Sequence, residues 1–159
     1  MAQSIRPQES QTMLSEQQRQ QFRTEGYLLV PDALADIGPQ RVRDAYEQVR
    51  AQTEAQWRDA VAADTGKGVY GQGTAAHVIP DLYQYDSLFL DLSNNPAVIP
   101  ILEAVVGLDL QLTEMIAHNH PAGTDAHIEW HRDWPPWNHP TQILKAKVFY
   151  YLDDITDDM

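Results

Sequence analysis

The segment His131-Arg132-Asp133 holds the residue types from which a mononuclear metal site is built. Side chains at i and i+2 of an extended strand project from one face, so the imidazole and the carboxylate would converge on a single point. A histidine and a carboxylate are two corners of the facial triad that binds non-haem Fe(II). A second histidine completes that triad and leaves three positions open for cosubstrate and O₂. The chain contains no cysteine, which excludes thiolate ligands and disulfides and fits a cytoplasmic setting. His127 and Glu129 share the same strand face, so polar side chains recur along it while Ala126, Ile128 and Trp130 line the other. A solvent-facing edge strand would show this pattern, and so would a wet cavity lined by metal ligands. A structural Zn or Ni site drawing on His118, His120, His127 and His131 is a further reading of the same histidines.

Positioning such a pair requires a strand on a packed layer, and the hydrophobic pattern supplies both. Residues 1–13 are polar and read as a flexible tail. Ser15 and Gln18 form a capping-box pair ahead of a helix that ends near Gly26, and Tyr27–Val30 then reads as a short strand stopped by Pro31. Val42, Ala45, Tyr46, Val49 and Trp57 recur at helical spacing over about residues 39–63. Residues 64–80 hold four glycines and read as an irregular, partly extended loop. Asn95 and Pro96 open a third helical stretch that Gly107 ends, with Pro100 awkward in its first turn.

Beyond Gly107 the period changes to two. Residues 110–118, 126–133 and 144–152 each alternate as strands with one apolar face. Helices first and strands later make an α+β domain over residues 14–159, with helices packed on a sheet.

Composition narrows the function. Residues 68–159 carry 13 acidic side chains against three basic ones, Arg132, Lys145 and Lys147. A half this acidic repels phosphate backbones, which argues against nucleic acid. No apolar run is long enough to span a bilayer. Asp153, Asp154, Asp157 and Asp158 do not have the spacing of an EF-hand loop and read as a solvated turn.

The flanking sequence resembles the phytanoyl-CoA dioxygenase family. There, a Trp-His-x-Asp-Trp segment (here Trp130 to Trp134) follows a Pro-Gly-type loop (His120-Pro121-Ala122-Gly123) and precedes a strand ending Leu152-Asp153-Asp154-Ile155-Thr156. Residues 14–34 are similar to the family's opening helix and strand, and residues 89–107 to the helix before its barrel strands. The resemblance implies a double-stranded β-helix, or jelly roll, with helices against one sheet. It implies an oxygenase that uses Fe(II), 2-oxoglutarate as cosubstrate and O₂ on a small organic substrate. His131 and Asp133 would be iron ligands, and Phe149 would correspond to an aromatic beside 2-oxoglutarate. Lys145 or Lys147, on the face of Phe149, would then come within reach of an acidic substrate or cosubstrate.

The family's third ligand, a histidine, and the arginine that pairs with 2-oxoglutarate are expected beyond the last of these motifs, and the sequence ends at Met159. On that reading the chain is the N-terminal part of one domain with an incomplete jelly roll. It would be inactive alone, with open sheet edges that favour self-association. The competing expectation is a non-catalytic remnant or interaction module that binds another chain along such an edge.

Overall fold

A computed structural model describes residues 14–63, 76–120 and 143–155. Four helices and one two-stranded sheet lie within them: α1 (Glu16–Glu25), α2 (Pro39–Ala62), β1 (His77–Pro80), α3 (Leu88–Ser93), α4 (Ile99–Val105) and β2 (Ile116–Asn119). A 3₁₀ turn, Leu82–Gln84, leads from β1 towards α3. The architecture is α+β, as the switch of period requires. Among the described residues, no helix is long and apolar enough to cross a membrane.

Local chemistry sets the helix ends. The Gln18 amide N–H donates to the Ser15 hydroxyl at 3.2 Å, and the Ser15 N–H donates to Gln18 Oε1 at 2.9 Å. This reciprocal pair satisfies donors that the first turn leaves orphaned. Gly26 closes α1 in the left-handed region, φ 80°, and its N–H reaches the Phe22 carbonyl at 2.9 Å. A side chain there would be strained, which is why glycine ends the helix.

Two expectations about the third helical stretch are corrected. Asn95 does cap a turn, its Oδ1 accepting from Ala97 N at 2.9 Å, but regular helix begins only at Ile99. Pro100 is therefore the second helical residue. Its missing N–H is one the first turn would leave unpaired anyway, so it sits without conflict. The preceding α3 is a separate helix, started by Asp86, whose carboxylate accepts from Leu88 N at 2.8 Å.

The core gathers on one side of α2. Val42, Ala45 and Val49 face Ile79, Leu82, Leu88, Phe89 and Leu92, with Met115, Ala117, Tyr150 and Leu152 packed against them. Val42, Ile79 and Phe89 are almost fully buried, each worth roughly 1.5–3 kcal/mol relative to exposure. β1 and β2 are antiparallel, in the register His77↔Asn119, Val78↔His118, Ile79↔Ala117 and Pro80↔Ile116. The last four residues of the expected loop are thus a strand.

Other expected strands do not form ladders among the described residues. Tyr27–Val30 has no such partner, and Tyr27 and Leu29 stand exposed. Of residues 110–118, only 116–118 belong to the described ladder, and residues 144–152 carry no strand among the described residues. A strand is defined by its neighbour, and alternation shows only that a segment could pair. The expected strand over 126–133 lies outside the described residues, as does the expected tail.

Two buried polar side chains fix how these pieces meet. Asn95, 1% exposed, donates from Nδ2 to the Ala33 carbonyl at 2.7 Å and to the Tyr150 hydroxyl at 3.2 Å. Tyr150 in turn donates to the Leu92 carbonyl at 3.1 Å. His77, 3% exposed, stacks on Trp57 of α2 with ring centroids 5.0 Å apart, and its Nε2 lies 2.9 Å from Thr53 Oγ1. The Thr53 hydroxyl already donates to the Val49 carbonyl at 2.9 Å, so its oxygen accepts and His77 carries its proton on Nε2.

Replacing Asn95 by Ala leaves buried partners unsatisfied and should cost about 2–3 kcal/mol, against about 1 kcal/mol for Tyr150→Phe, both read as urea unfolding midpoints. Burial, reinforced by Arg50 and opposed by Glu54, holds the His77 imidazolium below its ordinary range. As pH falls, the unfolded chain takes up this proton first, so stability declines from the ordinary histidine pKa down to the folded one. Unfolding curves between about pH 8 and pH 5 should show that decline in the parent and a smaller one in His77→Gln. Equal pH slopes would show that His77 is not the group responsible.

Candidate functional site

The pleat gives the sheet region two faces. Ile79 and Ala117, paired across the ladder, turn towards α2 and the core, as does Met115. Their alternates Glu114, Ile116 and His118 therefore belong to the opposite face. Along residues 143–152, Tyr150 and Leu152 pack on the core. Phe149 and Tyr151, which flank Tyr150, stand exposed and stacked on each other, on the side away from that core. The helical layer thus fixes which side chains remain available for chemistry.

Of the residues singled out by sequence, Phe149 lies on that outward face. It is 65% exposed and stacks on Tyr151, with centroids 6.2 Å apart and an interplanar angle of 18°. Lys145 does not stand out in solvent as a strand-face lysine would. Its ammonium lies 2.7 Å from Glu114 Oε1, and both side chains are partly buried. The pair ties the segment before β2 to a segment some thirty residues later. A half-buried ion pair of this kind resists salt better than a surface one.

His118 lies in β2 and stacks beside His120, with ring centroids 6.3 Å apart. The residue is exposed, yet surrounding atoms desolvate its imidazole. Burial first, then the neighbouring His120 and Lys147, hold its imidazolium below the ordinary range, with Glu114 acting the other way. The face can therefore present neutral imidazole beside lysine ammonium, a combination that receives a carboxylate or donates a proton. Among the described residues, no three potential ligand side chains gather at one point.

His131 and Asp133 lie outside the described residues. So do His127, Glu129, Trp130, the Trp134–Trp137 segment and His139. Two residues of this region escaped the sequence reading. His77 sat in a stretch read as loop, although the β-branched pair Val78-Ile79 before Pro80 is a short-strand signal. Glu114 was legible only as an alternating residue, since a partner thirty-one positions away leaves no local mark.

Comparison with known proteins gives one match. The model of the phytanoyl-CoA dioxygenase (PhyH) family matches residues 22–159, most of the chain, including the His131-Arg132-Asp133 segment. No curated protein and no solved structure matches it.

Proposed function

The chain belongs to the phytanoyl-CoA dioxygenase family, and from that premise we propose that it is a non-haem Fe(II)- and 2-oxoglutarate-dependent oxygenase acting on a small organic substrate. The observation that carries this reading is the family match across residues 22–159, which encloses His131 and Asp133. In the proposed fold, a jelly roll, the helices cover one sheet and the active site opens on the side away from them. Partial burial of the Glu114–Lys145 pair and the outward placement of Phe149 support that division.

The donor chemistry fits iron. A cysteine-free chain offers imidazole and carboxylate, which suit Fe(II) with open coordination positions. His131 and Asp133 would hold the metal, His131 as neutral imidazole and Asp133 as carboxylate. When bound, Fe(II) and 2-oxoglutarate together supply the oxidising power from O₂ that no protein side chain has. The chain's own residues then have three tasks. Asp133 contributes a negative charge that helps neutralise the cation. Phe149 offers an apolar wall beside the cosubstrate and keeps water from it. The pairing of Lys145 with Glu114 anchors the segment that presents Phe149, making Lys145 a positioning residue on this reading.

Mixing Fe(II) and 2-oxoglutarate, without O₂, with a form of the protein that carries the family's third histidine and its arginine should produce the visible charge-transfer band of a chelated ferrous complex. His131→Ala and Asp133→Ala should each abolish it, while Phe149→Ala should retain Fe(II) and weaken 2-oxoglutarate binding several-fold. Undiminished iron and 2-oxoglutarate binding in both ligand variants would sink the assignment.

A further inference from the structure

The β1–β2 ladder ends at the Pro80↔Ile116 pair, and past it the Leu82 N–H reaches the Met115 carbonyl at 3.3 Å. Upstream of that contact, residues 108–113 lie between α4 and β2, and all six are exposed. Leu108, Leu110 and Leu112 are 84%, 36% and 50% exposed. Among the described residues, no backbone N–H or C=O of this stretch has a hydrogen-bond partner. A run of unpaired amides carrying three exposed leucines is an edge that another strand can complete. Pairing there displaces no partner already in place among the described residues.

We infer that two copies of this chain associate by pairing residues 108–112 antiparallel about a two-fold axis at Leu110. The order Leu-Asp-Leu-Gln-Leu reads nearly the same in both directions, which is what an isologous contact requires. Leu110 then faces its own copy, Leu108 faces Leu112, and Asp109 faces Gln111. The axis generates the last pair twice, each time setting an amide donor against a carboxylate acceptor. No like charges meet across the strands, where directly opposed side chains are close enough to interact. An unrelated strand would have no such match. Tyr27–Val30 is a poorer edge for the same purpose. It is bounded by the left-handed Gly26 and by Pro31, which has no N–H to give. Each copy carries a net charge of -12, so association works against mutual repulsion and strengthens as salt screens it.

Sedimentation velocity of the full chain over a concentration series tests the association. A monomer–dimer equilibrium should appear and tighten several-fold between about 0.05 and 0.5 M salt. Gln111→Glu sets Asp109 against a second carboxylate on both sides of the axis and should weaken the dimer about ten-fold. Combining it with Asp109→Lys makes both pairs oppositely charged and should restore the dimer. The chain has no cysteine, so Leu110→Cys reads the register directly. Mild oxidation should cross-link that variant, because facing residues in an antiparallel pair have Cα atoms roughly 4.5–5.5 Å apart, within disulfide reach. Leu29→Cys, on the other exposed edge, should not cross-link. A chain still monomeric at about 1 mM overturns the inference. So does a dimer that salt dissolves or that is indifferent to Gln111→Glu, and so does faster cross-linking of Leu29→Cys than of Leu110→Cys. None of these readouts uses iron or 2-oxoglutarate, so they are independent of the oxygenase reading.

Discussion

The amide of Asn95 is the constraint on which the rest of the described structure depends. It is buried, so each of its polar atoms needs a partner, and the partners it finds lie far apart in sequence. Oδ1 closes its own turn at Ala97, and Nδ2 reaches back to Ala33 and forward to Tyr150. Tyr150 then returns its hydroxyl hydrogen to Leu92. Three stretches of chain are thereby held at fixed separations by groups that cannot exchange protein partners for water. Tyr150 has to point inward to take part. Its neighbours Phe149 and Tyr151 then stand on the other side, exposed and stacked on each other.

The segment is secured towards each end as well. Lys145 meets Glu114 on the outward face, whereas the chain bends at Asp153, whose carboxylate reaches Arg43 of α2 at 2.6 Å. One contact joins the segment to the β2 side and the other joins it to the helical layer. The Arg43–Asp153 contact is solvent-exposed and contributes direction more than energy. Between the two, apolar packing of Tyr150 and Leu152 supplies the stabilisation. The helical layer has no candidate chemistry of its own. Its part is to present a particular set of side chains on the opposite face.

Much of the helical structure was legible because its causes are local. The Ser15–Gln18 capping box, the left-handed Gly26 and the spacing of Val42, Ala45 and Val49 all act within a few residues, and each appears where the sequence indicates. Asn95 was legible as a cap but not as a hub, because its side-chain partners sit 62 and 55 positions away. The separate α3 was missed for a related reason. Asp86, which starts it, precedes an apolar run that reads equally well as part of one longer element. Tyr27–Val30 and the alternating residues around 110–115 and 144–152 have strand-like composition. Composition cannot supply a neighbouring strand.

The sequence by itself determined the family to which the chain belongs and the helix caps, since each is written in adjacent residues. Tertiary structure decided the rest. It turned His77 from a loop histidine into a buried ring stacked on Trp57, and gave Lys145 a carboxylate partner. It also put Met115 and Ala117, rather than Glu114 and His118, against the helices. The physical reason is the two-residue repeat of an extended chain. The repeat specifies that alternate side chains separate, but only pairing with β1 and packing on α2 select which set is buried.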